Sequence, residues 1–167
     1  MKYEVTNIIE GPIATVVEIT RDRSRDVKVY PNITETIVIK SEKDGTKVHE
    51  IVKSVGNGDI PPALRKILTP DLLAWIEDGT YDYATNYYTY TIKHAKFAAV
   101  FTMTGSVQFT ALSDTRTQRV LKGDIRVNIP IVGSIAEKKI VEIQKENLDL
   151  ESKILQKDVA EKLAQQK

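Results

Sequence analysis

The sequence predicts an α+β domain in which a curved antiparallel sheet of about seven strands wraps around one long C-terminal helix. Three observations predict it. A two-residue hydrophobic period runs through most of 33–129, and after Pro130 the period becomes helical and stays so. Strand follows strand with no helix between, which argues for antiparallel neighbours rather than parallel crossovers.

Residues 2–9 alternate around Tyr3, Val5 and Ile8-Ile9 and read as a first strand. Gly11-Pro12 breaks the pattern, and proline suits the first turn of a short helix over Ile13–Ile19. The run RDRSRD (21–26) reads as a solvated stretch, with a second helical turn over Val27–Tyr30. Residues 33–41 and 46–55 flank Lys43-Asp44-Gly45 and read as a hairpin. The segment 56–70 is punctuated at both ends and has room for a helical turn at Ala63–Leu68. Strands are expected over 71–82 and 86–94, joined near Ala84-Thr85.

The clearest strand is 98–112. Ala99, Phe101, Met103, Gly105, Val107, Phe109 and Ala111 share one face, and Thr102, Thr104, Ser106, Gln108 and Thr110 the other. After a turn at Ser113-Asp114, residues 115–129 repeat the pattern with Leu121, Ile125, Val127 and Ile129 inward. The helix is expected over 132–160, about 43 Å long. Its predicted inner stripe is Val132, Ala136, Ile140, Ile143, Asn147, Leu150 and Ile154, with Glu137, Glu142, Glu146 and Glu151 among the outward charges. A single domain over 1–160 is thus expected, followed by a polar, fraying tail over 161–167.

Composition is that of an ordinary folded chain: 41% hydrophobic and 28% charged over 167 residues, with net charge +1. So small a charge supplies no global attraction for nucleic acid. With no cysteine, disulfides and thiolate chemistry are excluded. The opening MKYEVTNIIEG lacks the apolar core of a secretory leader, and no stretch approaches the roughly 18 apolar residues of a membrane span. A cytoplasmic location is expected.

This order of elements resembles the START-like, helix-grip superfamily, which includes polyketide cyclases, Bet v 1-type proteins and lipid-transfer domains. The Tyr30-Pro31 of VKVYPNITET resembles the Tyr-Pro that members place before the second strand. More specifically, Leu68-Thr69-Pro70-Asp71-Leu72 and Ile129-Pro130-Ile131-Val132-Gly133-Ser134-Ile135-Ala136-Glu137 resemble segments of the bacterial family DUF2505, with Ser134 in place of that family's second glycine. The resemblance implies a hollow between sheet and helix.

Candidate chemistry is sparse. His49 and His94 lie on different strands without a local carboxylate or serine arrangement, so each is a general-base candidate only by its pKa range. No His/Asp/Glu cluster has ligand spacing, and Gly56-Asn57-Gly58 lacks a phosphate loop's context, so neither metal nor cofactor is expected. Tyr81, Tyr83, Tyr87, Tyr88 and Tyr90 hold five of the seven tyrosines; Tyr87 reads as outward, and Tyr88 or Tyr90 as lining the hollow. Glu35 and Glu50 share parity with Ile37, Ile39, Val48 and Val52; if all face inward they need a partner, for which Arg119 is a candidate. Asn147 interrupts the helix stripe and must find hydrogen bonds.

The expected ligand site is therefore Tyr88, Tyr90, Phe101, Met103, Gly105, Phe109, Ile140, Ile143 and Asn147, with Gly105 and Gly123 leaving room for the ligand. On this reading Gly105→Leu would block binding in a folded protein. The leading expectation is non-enzymatic binding or transport of a small hydrophobic or amphipathic molecule such as a lipid, isoprenoid or polyketide. A polyketide cyclase or dehydratase, and an interaction module with a filled core, are the alternatives. Oligomeric state is not legible.

Overall fold

The computed structural model describes residues 1–31, 33–56, 74–131 and 133–166. Strand β1 (Lys2–Glu10) leads through helix α1 (Ile13–Arg21), a 3-10 turn (Arg23–Arg25) and helix α2 (Asp26–Val29) into β2 (Ile33–Asp44) and β3 (Lys47–Gly56). Then come β4 (Ala74–Asp82), β5 (Tyr87–His94), β6 (Phe101–Ser113), β7 (Arg116–Val127) and the long helix α3 (Gly133–Gln165). All pairings are antiparallel, in the order β1-β7-β6-β5-β4-β3-β2. The first and second strands are therefore the two edges, and the chain meanders back across the sheet between them. The helical turn expected at Ala63–Leu68 and the motif Leu68–Leu72 lie outside the described residues.

The alternation of β6 places Met103, Val107 and Phe109 in the core and leaves Thr104 and Thr110 exposed, as one greasy and one wet face require. Phe101 is half-buried, and Ala99 falls in the turn before the strand and is exposed. Ile129 corrects the expected inward set of β7. That strand ends at Val127, and beyond it Ile129 is 42% exposed.

The phase of α3 is also corrected. Its buried residues are Gly133, Val141, Leu148, Glu151, Leu155 and Val159. Ile143 and Leu150, expected inward, are 37% and 40% exposed. Ile140, Asn147 and Ile154 flank the buried stripe, half-covered. The helix is turned by about one residue, or roughly 100°, from the expected stripe. The cause is Glu151, which a hydropathy count places outside. It lies inside because Arg119 of β7 forms an ion pair with it there. The helix also runs past 160, because Leu163 continues the buried series from Val159 and packs on the core.

In β2, bulges between Ile33 and Glu35 and between Val38 and Lys40 shift the register against β3. Glu35, Ile37 and Ile39 are exposed, whereas Val52 and Glu50 of β3 face inward. The shared inward parity of the two carboxylates therefore fails at Glu35.

Candidate functional site

The long helix lies along β1, β7 and α1, so it closes one side of the curved sheet. On the other side, the 3-10 turn and α2 pack on β2, and Arg23 of the turn reaches the inner faces of β3, β4 and β5. Between these lies the concave surface on which the candidate site is built.

One row of cross-strand partners explains its shape. Glu50, Gly79, Tyr90, Gly105, Gly123 and Tyr3 follow one another across six strands. The three glycines are there for close approach. A side chain on Gly79 would collide with the Tyr88 ring, and one on Gly123 with the Tyr3 ring. At Gly105 a Cβ would meet Tyr90 at 2.5 Å and the Lys122 carbonyl oxygen at 2.7 Å. Three tyrosine rings thus lie flat on a glycine row. The space that Gly105 and Gly123 were expected to leave for a ligand is filled by Tyr90 and Tyr3. Gly105→Leu would strain the sheet itself, so it is not a clean test of binding.

The rings end in hydroxyls that gather polar partners. Tyr88 stacks on Tyr90 with centroids 5.5 Å apart. The Tyr88 hydroxyl donates to Glu77 and accepts from Arg23 Nη2 at 2.9 Å. Burial first, and then the charge of Glu77, pushes the Tyr88 phenol well above its usual pKa. The Tyr3 hydroxyl reaches the Met103 sulfur at 3.8 Å.

The arginines come from the segment expected to be solvated, which is the largest correction. The Asp22 carboxylate accepts from the Ser24 backbone N–H at 3.0 Å and from its hydroxyl at 2.7 Å, which fixes the 3-10 turn. That turn sends Arg23 over the sheet, beside Arg21 at the end of α1. Arg21 pairs with Glu50, and Arg23 pairs with Glu77. The Arg23 Nε lies 3.7 Å from Glu50, and its Nη1 lies 3.9 Å from Asp26. Both guanidiniums also sit over the Tyr88 ring, at 4.8 and 5.7 Å from its centroid. Arg25 turns the other way and donates from Nη2 to Asp158 of α3 at 2.6 Å. Burial lifts the Asp26 carboxyl to about 6, with Arg23 pulling it down and Glu77 pushing it up.

A second buried pair lies deeper. Arg119, 2% exposed, pairs with Glu151 and donates to Asn7 Oδ1 at 3.0 Å. It is not the partner of Glu35 or Glu50. Tyr30 stands between the two clusters. Its phenol is pushed up by burial, then by Glu151 and Asp26, with Arg119 opposing.

Of the expected ligand residues, Tyr88, Tyr90, Phe101, Met103 and Gly105 share the inner face of β5 and β6. Phe109 is buried beside Tyr81 with centroids 6.5 Å apart, in the packed part of the core. Ile140 and Asn147 are half-covered, and Ile143 points away from the buried stripe. His49 lies on the outer face, 2.8 Å from Asp78. The His94 ring accepts the backbone N–H groups of Lys96 and Phe97 at 3.1 and 3.0 Å, which is a turn-capping role. No metal-holding cluster occurs among the described residues.

The residues that sequence reasoning missed are Arg21, Arg23, Asp26, Glu77, Tyr3, Tyr30 and Glu151. Glu77 carried a usable signal, since in WIEDGTY it alternates in phase with Trp75, Gly79 and Tyr81. Gly105 and Gly123 carried another, as small residues in phase on paired strands.

A family model described as "Protein of unknown function (DUF2505)" matches residues 4–157. No curated protein matches. Among solved structures, the Zhui aromatase/cyclase from Streptomyces sp. R1128 superposes with a TM-score of 0.74 at 15% identity, over 98% of this chain and 95% of that one. A protein of Thermus thermophilus gives 0.70 at 16% identity, over 96% and 97%. A START superfamily protein from Mycobacterium smegmatis gives 0.60 at 15% identity, over 96% and 97%. At these identities the likeness is one of fold. No helix among the described residues is long and apolar enough to cross a membrane.

Proposed function

Since the chain belongs to the DUF2505 family, its activity has to be read from the site itself, and we propose that it binds a small amphipathic molecule in the hollow between sheet and C-terminal helix. One observation carries this reading. Trp75, Tyr90, Ile92 and Phe101 point inward from central strands, where a filled core would bury them, yet all four remain half-buried. Their apolar surface, with Met103 and Ile140 nearby, offers a desolvated seat for a chain or ring system. The guanidiniums of Arg21 and Arg23 offer a polar end that orients it. The sheet-and-helix fold is shared with an aromatase/cyclase and a START superfamily protein.

The neutral dye Nile red tests this reading. It should bind one to one with micromolar affinity, roughly −8 kcal/mol, and brighten as it leaves water. Ile92→Trp fills the hollow from the β5 side and should abolish the signal while the melting transition persists. Equal brightening in the folded variant would place the dye elsewhere.

A second reading has its own observation. Asp26, with a carboxyl that titrates at about 6, lies beside Arg23, which joins it to Glu77 and Tyr88. A carboxyl poised near neutrality is what a proton-transfer step requires, so a cyclase or dehydratase of polyketide type is the alternative. Turnover of a poly-β-ketone thioester, lost in Asp26→Asn, would favour it.

A further inference from the structure

The polar wall of the hollow is already neutralised. Arg21 is matched by Glu50 and Arg23 by Glu77. Asp26 adds a third carboxyl to these two guanidiniums, and Arg25 and Arg119 are taken by Asp158 and Glu151. A ligand carboxylate entering here would lose its hydration and find no unmatched cation among the described side chains of this wall. It would also meet three carboxyl groups at close quarters.

Two donors of this wall nevertheless lack an acceptor. The Nε atoms of Arg21 and Arg23 are buried and have no hydrogen-bond partner among the described residues. Their side chains are 11% and 19% exposed, so bulk water reaches them poorly. A buried N–H without an acceptor is costly, and a small shift of either side chain that turns it toward an uncharged ligand oxygen relieves the deficit. Tyr88 does not supply that oxygen, since its hydroxyl is engaged with Glu77 and Arg23 Nη2.

We propose that the hollow selects an uncharged, oxygen-bearing amphiphile, such as an alcohol, ketone or ester on an apolar body, over the corresponding carboxylate. The proposal rests on the ligand-binding reading and narrows it to a ligand class. Free fatty acids are excluded by it even though their chains fit an apolar seat.

Displacement of Nile red at pH 8 by decan-1-ol, methyl decanoate and decanoate tests it, because the three share a chain length and differ at the polar end. The alcohol and ester should displace the dye at concentrations at least about tenfold below those needed with decanoate, since burying an unmatched ion carries a penalty of that order or more. Glu50→Gln frees the charge of Arg21 and should narrow the gap, read within the variant as the ratio of the decanoate to the decan-1-ol concentration that displaces the dye. If that variant does not fold, the wild-type comparison decides alone. Decanoate displacing the dye as well as decan-1-ol in the wild type would overturn the proposal and leave ligand binding standing. If Nile red binds at the hollow and none of the three displaces it, the proposal is equally overturned. Absence of any dye binding would bring down the underlying reading with it.

Discussion

Replacing Glu151 by alanine should lower the unfolding free energy by about 3–5 kcal/mol, the range for breaking a buried ion pair from one side. The reason lies less in the lost attraction than in what remains. Arg119 is 2% exposed and, among the described residues, would keep Asn7 as its hydrogen-bond partner, with its charge still in the core. The pair also ties α3 to β7, and through Asn7 to β1, so the loss falls on the seam where helix meets sheet. Arg119→Met with Glu151→Leu should recover most of the loss, because similar-sized apolar side chains remove both desolvation costs together. Urea unfolding followed by Trp75 fluorescence measures both variants, and adding the singles Arg119→Met and Glu151→Leu closes a double-mutant cycle that gives the coupling. A loss under about 1 kcal/mol for Glu151→Ala would mean that the pair is wet in solution and that the helix seat is looser than described.

Asp26→Asn should stabilise the protein at pH 8 by up to roughly 3 kcal/mol and have little effect near pH 3.5. The carboxyl is raised from 3.8 to about 6 in the folded chain, because burial outweighs the attraction of Arg23. Below 3.8 it is protonated in both states, so folding carries no penalty. Between 3.8 and 6 the unfolded chain releases the proton while the folded chain retains it, and stability falls as pH rises. Above 6 the penalty is complete. The groups that set it are Arg23, Glu77, Arg25 and Asp22, with Tyr30 also within its field. Other carboxyls titrate over the same range, so the variant is compared with the wild type at each pH and only the difference is read. A difference that stays flat from pH 3.5 to 8 would show that Asp26 is solvated.

The architecture was legible because its signals are local. Period two in β6 reports the strand's buried side, the helical period after Pro130 reports that α3 exists, and antiparallel order follows from strands without intervening helices. What was not legible depends on meetings between distant segments. RDRSRD reads as a solvated stretch, yet the partners of Arg21 and Arg23 are Glu50 and Glu77 on β3 and β4. Arg25 crosses to Asp158 on α3. No local count could supply those contacts. The phase error in α3 has the same origin, since Glu151 belongs inside only once Arg119 is known to await it. Gly105 and Gly123 read as small inward residues, but a glycine in a strand accommodates either a ligand or a neighbouring ring. Cross-strand register alone reveals that the neighbours of those glycines are Tyr90 and Tyr3. Tyr88 stands out in the sequence for its bulk and polar tip, whereas its engagement with Glu77 and Arg23 emerges only in the folded arrangement.

Native mass spectrometry of the protein purified from its own host tests the central claim most directly. A single noncovalent adduct of small-molecule mass is expected at one-to-one stoichiometry, released on unfolding and absent from Ile92→Trp prepared in parallel. Wild-type protein that carries nothing, or an adduct retained by the folded Ile92→Trp variant, would contradict a ligand seat between sheet and helix.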